Sequence, residues 1–355
     1  MTSTEINFDD INASLHLEGI ELAGGWRVEK RRENVSGQFS VSYDVLHTSG
    51  KKGFLKVLDL VSVFGDIDAL QLAVNDYLAE RDLVLMCGEQ KMSKVVVALD
   101  HGTVELDGYL PGLSKVHYIV FERAVSDLNR TLSEVEATDI AVRLDLLHDL
   151  AVGVRQLHTR AIAHQDVKPR NALVFERGGA MPEHAKVSDL GRAYQSSVST
   201  PHDNVLVPGD RSFAPPEQLY GHSRLVTDRD RFAADLYQFG SLICYAFGGV
   251  TMNGMLSQRL SPDHHWDTFG DGYTQALPYL QEAFGDTLSS LKESLPESIQ
   301  SEILPLIAGL CEPEVSRRGH VRARQGGGQR LGLERVITDL NLAAYRTRIR
   351  IARRA

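Results

Sequence analysis

The sequence predicts an α+β fold, in which a small antiparallel β-sheet part with one helix precedes a larger, mainly helical part. Three observations predict it. Residues 26–58 and 95–121 carry short runs of alternating or continuous apolar residues separated by turn-forming Gly, Ser and Asn, the pattern of strands joined by short loops. Between them, Ala69 to Val84 keeps its apolar residues at spacings of three and four, the period of one long helix. From Ile140 onward the helical period dominates.

Taken in order, residues 1–23 are polar and mildly amphipathic and read as an extension lying on the first part. Trp26-Arg27-Val28-Glu29 alternates, a loop spans Glu33 to Ser40, and Val41-Ser42-Tyr43-Asp44-Val45 alternates again. A turn at Thr48-Ser49-Gly50-Lys51-Lys52-Gly53 leads into Phe54-Leu55-Lys56-Val57-Leu58. Lys56 stands out, because an ammonium in an apolar strand either snorkels to the surface or meets an anion. Val95–Leu99 and Val116–Phe121 read as the last two strands. In the second part, Ile140, Leu144, Leu147, Leu150, Val154 and Leu157 mark a buried helix, and Leu236 to Phe247 is a long apolar run behind Asp235. Stretches around Leu256 to Leu260, Tyr279 to Phe284 and Ile303 to Leu310 read as further helices. Gln325 to Gln329 is a Gly-rich joint, and Leu333, Val336, Ile337, Leu340 and Ala344 make a short amphipathic helix. The pattern says little beyond Arg346.

Composition bounds the class. Apolar residues make up 43% and charged residues 24%, as in ordinary soluble proteins. Cys87, Cys244 and Cys311 are odd in number and far apart, with no C-x-x-C pair, which speaks for reduced thiols in the cytoplasm and against a disulfide or zinc framework. No secretory signal opens the chain, and the most apolar run, Leu236 to Val250, is too short to span a bilayer. From Arg317 onward eleven Arg face only Glu334 and Asp339, a local balance of +9. Because the whole chain carries −9, residues 1–316 carry −18. Such a tail either meets a nucleic acid or an acidic partner, or docks on its own acidic body or is simply solvated, and the latter pair of readings is favoured.

The chemistry concentrates in His164-Gln165-Asp166-Val167-Lys168-Pro169-Arg170-Asn171 and, eighteen residues past the Asn, Asp189-Leu190-Gly191. The first segment lies between an amphipathic helix and the apolar run Ala172-Leu173-Val174-Phe175, which places it on a loop. Phosphoryl transfer needs a carboxylate to accept a hydroxyl proton, a cation near the transferring group, and oxygen ligands for Mg²⁺. Asp166, Lys168, Asn171 and Asp189 supply these groups in that order. Here the sequence resembles the protein kinase family: H-x-D-x-K-P-x-N followed by D-L-G matches its H-R-D and D-F-G elements.

The resemblance implies a bilobal arrangement and covers roughly residues 26–320. It divides the chain into an N-terminal extension (1–23), an N-terminal lobe (24–124), a C-terminal lobe (125–320) and a basic C-terminal extension (321–355). It makes Lys56 the contact to the α- and β-phosphates, with Glu80 as its helix partner or, one turn earlier, Asp76. Gly37 and Phe39 match the second glycine and the tip of the phosphate-covering loop, whereas Val35 and Ser40 replace its other glycines. Glu122, Arg123 and Ala124 fall at the hinge whose backbone binds adenine, and Leu173 at the floor under the base. Phe54 stands where the family carries a small alanine, which crowds the base pocket.

In the C-terminal part, Gln165 replaces the arginine that binds a phosphorylated activation segment in many relatives, so activation is expected not to need that phosphate. Ser196, Ser197, Ser199 and Thr200 lie mid-segment. Gly209 to Glu217 resembles G-T-x-x-Y-x-A-P-E, with Asp210 in place of threonine. Glu217 is expected to be buried against Arg318, or the adjacent Arg317, and Asp235 to hold the catalytic-loop backbone. Lys168, two residues past Asp166, is the serine/threonine-type arrangement. The resemblance thus implies an ATP-dependent protein serine/threonine kinase, with Mg²⁺ or Mn²⁺ as the metal, a protein substrate, self-phosphorylation and no membrane. Its short loops look like those of bacterial members. Two other readings stay open, a weakly catalytic scaffold of the same fold and a small-molecule phosphotransferase. The kinase reading requires Lys56, Asp166, Asn171 and Asp189 to serve one metal-bound triphosphate.

Overall fold

A computed structural model describes residues 8–32, 39–134, 139–177, 181–198, 200, 202–222, 227–270, 272–325 and 329–353. The chain divides into two units, Met1–Met92 with Val96–Ala124, and Ser93–Val95 with Val125–Ala355.

The first unit is a six-stranded antiparallel sheet with one long helix. Its strands are β1 (Glu21–Leu22), β2 (Trp26–Arg31), β3 (Ser40–His47), β4 (Lys52–Leu58), β5 (Ala98–Glu105) and β6 (Lys115–Glu122), in the order β1-β2-β3-β4-β6-β5. Alternation along β4 sends Leu55 and Val57 into a core with Trp26, Tyr43, Val45, Tyr118 and Val120. Lys56 points the other way, between Ser42 and Ile119 in register. The expected extension completes that core: Ala13, Leu17 and Leu22 are buried in it, and Tyr43 donates its hydroxyl to the Ser14 carbonyl at 2.6 Å. Helix α1 (Ile67–Glu89) starts at an Asp66 cap that accepts the Ala69 N–H. Its buried positions Ala73, Tyr77, Glu80, Val84 and Cys87 recur at four and three, so Glu80 lies on the apolar stripe. The strand expected over 95–99 runs instead from Ala98 to Glu105, because Val95 belongs to the second unit and pairs there with Val187.

The second unit is mainly helical. It comprises β7 (Ser126–Asp127), α2 (Leu128–Glu134), α3 (Ile140–His158), β8 (Ile162–Ala163), β9 (Ala172–Arg177), β10 (Met181–Val187), β11 (Tyr194–Gln195), α4 (Pro216–Leu219), α5 (Asp228–Gly248), α6 (Met252–Ser257), α7 (Tyr273–Ser294), α8 (Glu297–Leu310), α9 (Val321–Gln325) and α10 (Glu334–Ala352). Strands β7, β9 and β10 form one antiparallel sheet and β8 pairs with β11. Helix α5 is launched by a capping box between Thr227 and Asp230, and its middle is buried on every side. The C-terminal amphipathic pattern extends past its expected end at residue 344 as α10, which packs on α3 and α8. The extra turns find partners: Arg346 meets Glu302 at 2.8 Å, Arg348 meets Asp145, and Arg350 donates to the Ser298 carbonyl. At its start Glu334 pairs with Arg155 at 3.0 Å. Among the described residues no helix is long and apolar enough to cross a membrane.

Candidate active site

Residues 164–171 leave β8 and enter β9 through a short 3-10 turn, Pro169–Asn171. An extended loop in a helical interior must place its amide groups somewhere. Asp235 and Gln238, one turn apart on α5, take them. Fully buried Asp235 accepts the backbone N–H of His164 and of Gln165, each at 2.7 Å, and also touches His158 Nε2 at 2.8 Å. Gln238 accepts the Val167 N–H at 2.9 Å and donates to the Gln165 carbonyl at 2.9 Å. The Asp166 N–H reaches His164 Nδ1 at 3.2 Å, while His164 Nε2 lies 2.9 Å from the Ser188 carbonyl, which sets the Nε2-protonated tautomer. These bonds hold Gln165 at φ +67°, a left-handed conformation that a non-glycine residue keeps only when its surroundings over-determine it.

That scaffold aims Asp166. Its Oδ1 accepts the Asp210 N–H at 2.8 Å, and its Oδ2 accepts Asn171 Nδ2 at 2.9 Å and Lys168 Nζ at 2.8 Å. Lys168 also lies 3.8 Å from Asp210 Oδ2, so one ammonium serves two carboxylates. Gly209 makes the approach of residue 210 feasible. A Cβ there would sit 2.3 Å from the Gln165 carbonyl oxygen and 2.7 Å from Asp166 Oδ1. The Nδ2 of Asn171 is spent on Asp166, on Oδ2 and on the backbone carbonyl, which leaves its side-chain oxygen as the atom offered elsewhere. The Asn171 carbonyl accepts both the N–H and the hydroxyl of Ser188, at 2.8 and 3.0 Å. The next residue, Asp189, is exposed and stands at φ +59°. An amide oxygen and a carboxylate are donors suited to a hard divalent cation.

The remaining expected residues of this unit fall as follows. Leu173 is half-buried in β9, between Lys186 and Asp127. Glu217 is gripped by Arg318, Nη1 to Oε1 at 2.6 Å and Nη2 to Oε2 at 2.7 Å. The same guanidinium donates to the carbonyls of Glu312, Ala233 and Pro313 and lies over the Tyr237 ring. Burial works against its charge, but Glu217 outweighs burial and raises its pKa. Arg317 is instead exposed, near Glu312 and Glu314.

In the first unit, Lys56 Nζ lies 2.9 and 2.6 Å from the two carboxylate oxygens of buried Glu80. Asp76 sits a turn earlier, off the fully buried stripe. Phe54 faces Phe121 across the sheet, with the Arg32 guanidinium 5.7 Å over its ring. Glu122 accepts the Val97 N–H at 3.2 Å, and Arg123 joins Asp44 at 2.9 Å and the Ala124 carbonyl at 2.7 Å. Gly37 and Ser199 lie outside the described residues. Sequence reasoning missed Gln238, His158 and Arg231, which all touch the 164–171 loop or its anchor. The one available signal was spacing, since Gln238 and Arg231 flank Asp235 by three and four residues and so share its helix face.

The sequence model of the protein kinase domain matches residues 35–323, about four fifths of the chain. The chain belongs to the protein kinase family. It is similar to the dual serine/threonine and tyrosine protein kinase of Gallus gallus, 27% identical over 216 residues, 60% of this chain and 21% of that protein. Similarity extends to the human beta-adrenergic receptor kinase 1, 28% identical over 170 residues, 48% of this chain and 20% of that one. It extends also to a serine/threonine-protein kinase/endoribonuclease of Oryza sativa subsp. japonica, 28% identical over 178 residues, 49% and 16% of the two chains. This kinase chain therefore spans about a fifth of the length of the curated relatives it matches.

Proposed function

We propose that this protein kinase transfers the γ-phosphoryl group of ATP to Ser or Thr hydroxyls of a protein, itself included. The single observation that carries the reading is the wiring of Asp166, whose carboxylate is held by Asn171, Lys168 and the Asp210 amide in one orientation. In the reaction an acceptor hydroxyl attacks the γ-phosphorus and the bond to the β-bridging oxygen breaks, releasing ADP. Asp166 orients the hydroxyl and takes its proton, and Lys168 offsets charge on the transferring group. Asn171 and Asp189 would hold Mg²⁺ or Mn²⁺, which neutralises phosphate charge when bound. Lys56, positioned by Glu80, is assigned to the α- and β-phosphates, and the backbone of Glu122 to Ala124 together with Leu173 to the base. Gly37 is assigned to the phosphate-covering loop on sequence alone. The divisions at residues 23/24, 124/125 and 320/321 are kept as the working domain boundaries.

The cytoplasm is the proposed location, supported by three free and buried cysteines. Arg346, Arg348 and Arg350 of α10, which bond to the body, argue for a tail docked on its own chain rather than on nucleic acid.

The test is incubation of the full chain with labelled ATP, Mg²⁺ and Ser-, Thr- and Tyr-containing acceptors beside Asp166→Asn. Label on Ser or Thr that falls about 10²–10⁴-fold in the variant is expected. Equal label in both forms overturns the assignment, and label on Tyr alone overturns the acceptor class. Phe54 favours the scaffold as second reading. A chain that shows no Mg²⁺-dependent thermal shift with ATP, ADP or GTP supports that one.

A further inference from the structure

Arg231, on the first turns of α5, is buried, yet among the described residues no carboxylate pairs with its guanidinium. Nη1 donates to Gln165 Oε1 at 3.1 Å and Nη2 donates to the backbone carbonyl of Asp203. Its Cζ lies 5.1 Å from the Tyr194 ring centroid, and Nε is buried without a hydrogen-bond partner among the described residues. Gln165 answers reciprocally, its Nε2 donating to the Arg231 carbonyl at 2.9 Å and to Asp235 Oδ1 at 3.1 Å. Burial pulls the guanidinium pKa down, while Asp203, Asp235 and Asp230 act against it, and an arginine stays charged throughout. One side chain thus ties the strained catalytic-loop residue to both ends of the stretch from Tyr194 to Asp203.

The alternative use of a buried cation here is to receive a phosphorylated Ser or Thr from that stretch. The surroundings disfavour it. Both Nη groups are already engaged, and the nearby carboxylates of Asp203, Asp230 and Asp235 would repel a dianion. Thr200 is itself closed on Asp203, with its hydroxyl 2.7 Å from Oδ1 and its N–H 2.8 Å from Oδ2.

We infer that Arg231 is a positioning residue which, through Gln165 and the Asp203 carbonyl, holds the 194–203 segment against the catalytic loop without a phosphoryl group. The consequence for regulation rests on the kinase reading; the latch itself does not. It explains how a chain with Gln165 in the loop keeps the segment in place.

The test is hydrogen exchange of the full chain, before and after treatment with a broad-specificity phosphatase, in wild type, Arg231→Gln and Gln165→Met. Wild type is expected to exchange identically in both states. Arg231→Gln should raise exchange over 194–203 by about 10- to 100-fold, as for loss of charge-assisted hydrogen bonds, with the core of α5 unchanged. Where label transfer is measured, kcat should fall while KM for ATP stays within about twofold. Arg231→Lys, which keeps the charge but gathers its donors on a single nitrogen, should restore part of both. Gln165→Met removes the acceptor of Arg231 together with the two Nε2 donations, keeps Arg231 itself, and covers the case in which Arg231→Gln does not fold. Unchanged exchange in both variants, or opening of 194–203 in dephosphorylated wild type, overturns the latch. Expected exchange with no label transfer by wild type overturns the kinase reading and leaves the latch standing.

Discussion

Arg318 holds Glu217 by two parallel hydrogen bonds, 2.6 and 2.7 Å, with none of its own surface exposed. Removing one partner strands the other charge in a dry interior, a cost that far exceeds the net worth of the intact pair. Arg318→Met is therefore expected to lower stability by about 3–5 kcal/mol. Glu217→Gln, which keeps an acceptor, should cost less. Urea unfolding of the three proteins checks the order. A smaller loss in Arg318→Met than in Glu217→Gln contradicts it.

Asp235 presents two acceptor oxygens to two backbone N–H groups. Asp235→Asn turns one of them into a donor facing a donor. Label transfer should fall at least about tenfold, and stability by about 1–3 kcal/mol, the cost of one buried group left unpaired. The paired measurement is kcat beside the thermal midpoint. Full activity in the variant would show that the loop holds its shape without this anchor.

Gly209 leaves room for the Asp210 amide to reach Asp166. Gly209→Ala forces the catalytic loop or residue 210 to retreat, a strain of about 1–3 kcal/mol. The expected signature is a loss in kcat greater than the change in KM for ATP. A variant with wild-type kcat refutes the close approach.

Lys56→Met removes the cation beside Glu80. On the kinase reading it abolishes the Mg²⁺-ATP thermal shift, as does Asp189→Asn, whereas Asp166→Asn keeps it. Retained shifts in both Lys56→Met and Asp189→Asn would remove these residues from nucleotide binding.

Docking of α10 should be sensitive to acid. Burial raises the Glu302 pKa, but hydrogen bonds from Ser301 and Arg346 outweigh it and leave the value below the ordinary 4.5. Glu334 is lowered likewise, burial being outweighed by its own backbone N–H and by Arg155. A depressed carboxylate pKa contributes stability that is complete above the unfolded value and lost as pH falls through the folded one. Exchange of residues 334–352 relative to α5 should therefore rise as pH drops below about 4.5. In Glu302→Gln/Glu334→Gln that dependence should flatten. A profile independent of pH in the parent chain contradicts it.

By itself the sequence determined the class of the fold and the loop residues on which the proposed chemistry rests, because both are local. The strands alternate at a period of two, α1 and α3 repeat at three and four, and Asp166, Lys168 and Asn171 fall within six residues. The family resemblance that its motifs carry also pointed to Glu80 and Arg318 as partners, with Asp76 and Arg317 as the alternatives. Only the tertiary structure decided the rest. Residues 13–22 proved to belong to the sheet core because hydrophobic burial depends on what packs above them, and a short polar-looking stretch carries no period to announce it. The bonds of Gln238 and Arg231 to the loop join residues more than sixty apart, a closeness no spacing rule encodes. Buried donors and acceptors choose partners by distance in space, and that distance exists only once the helices have packed.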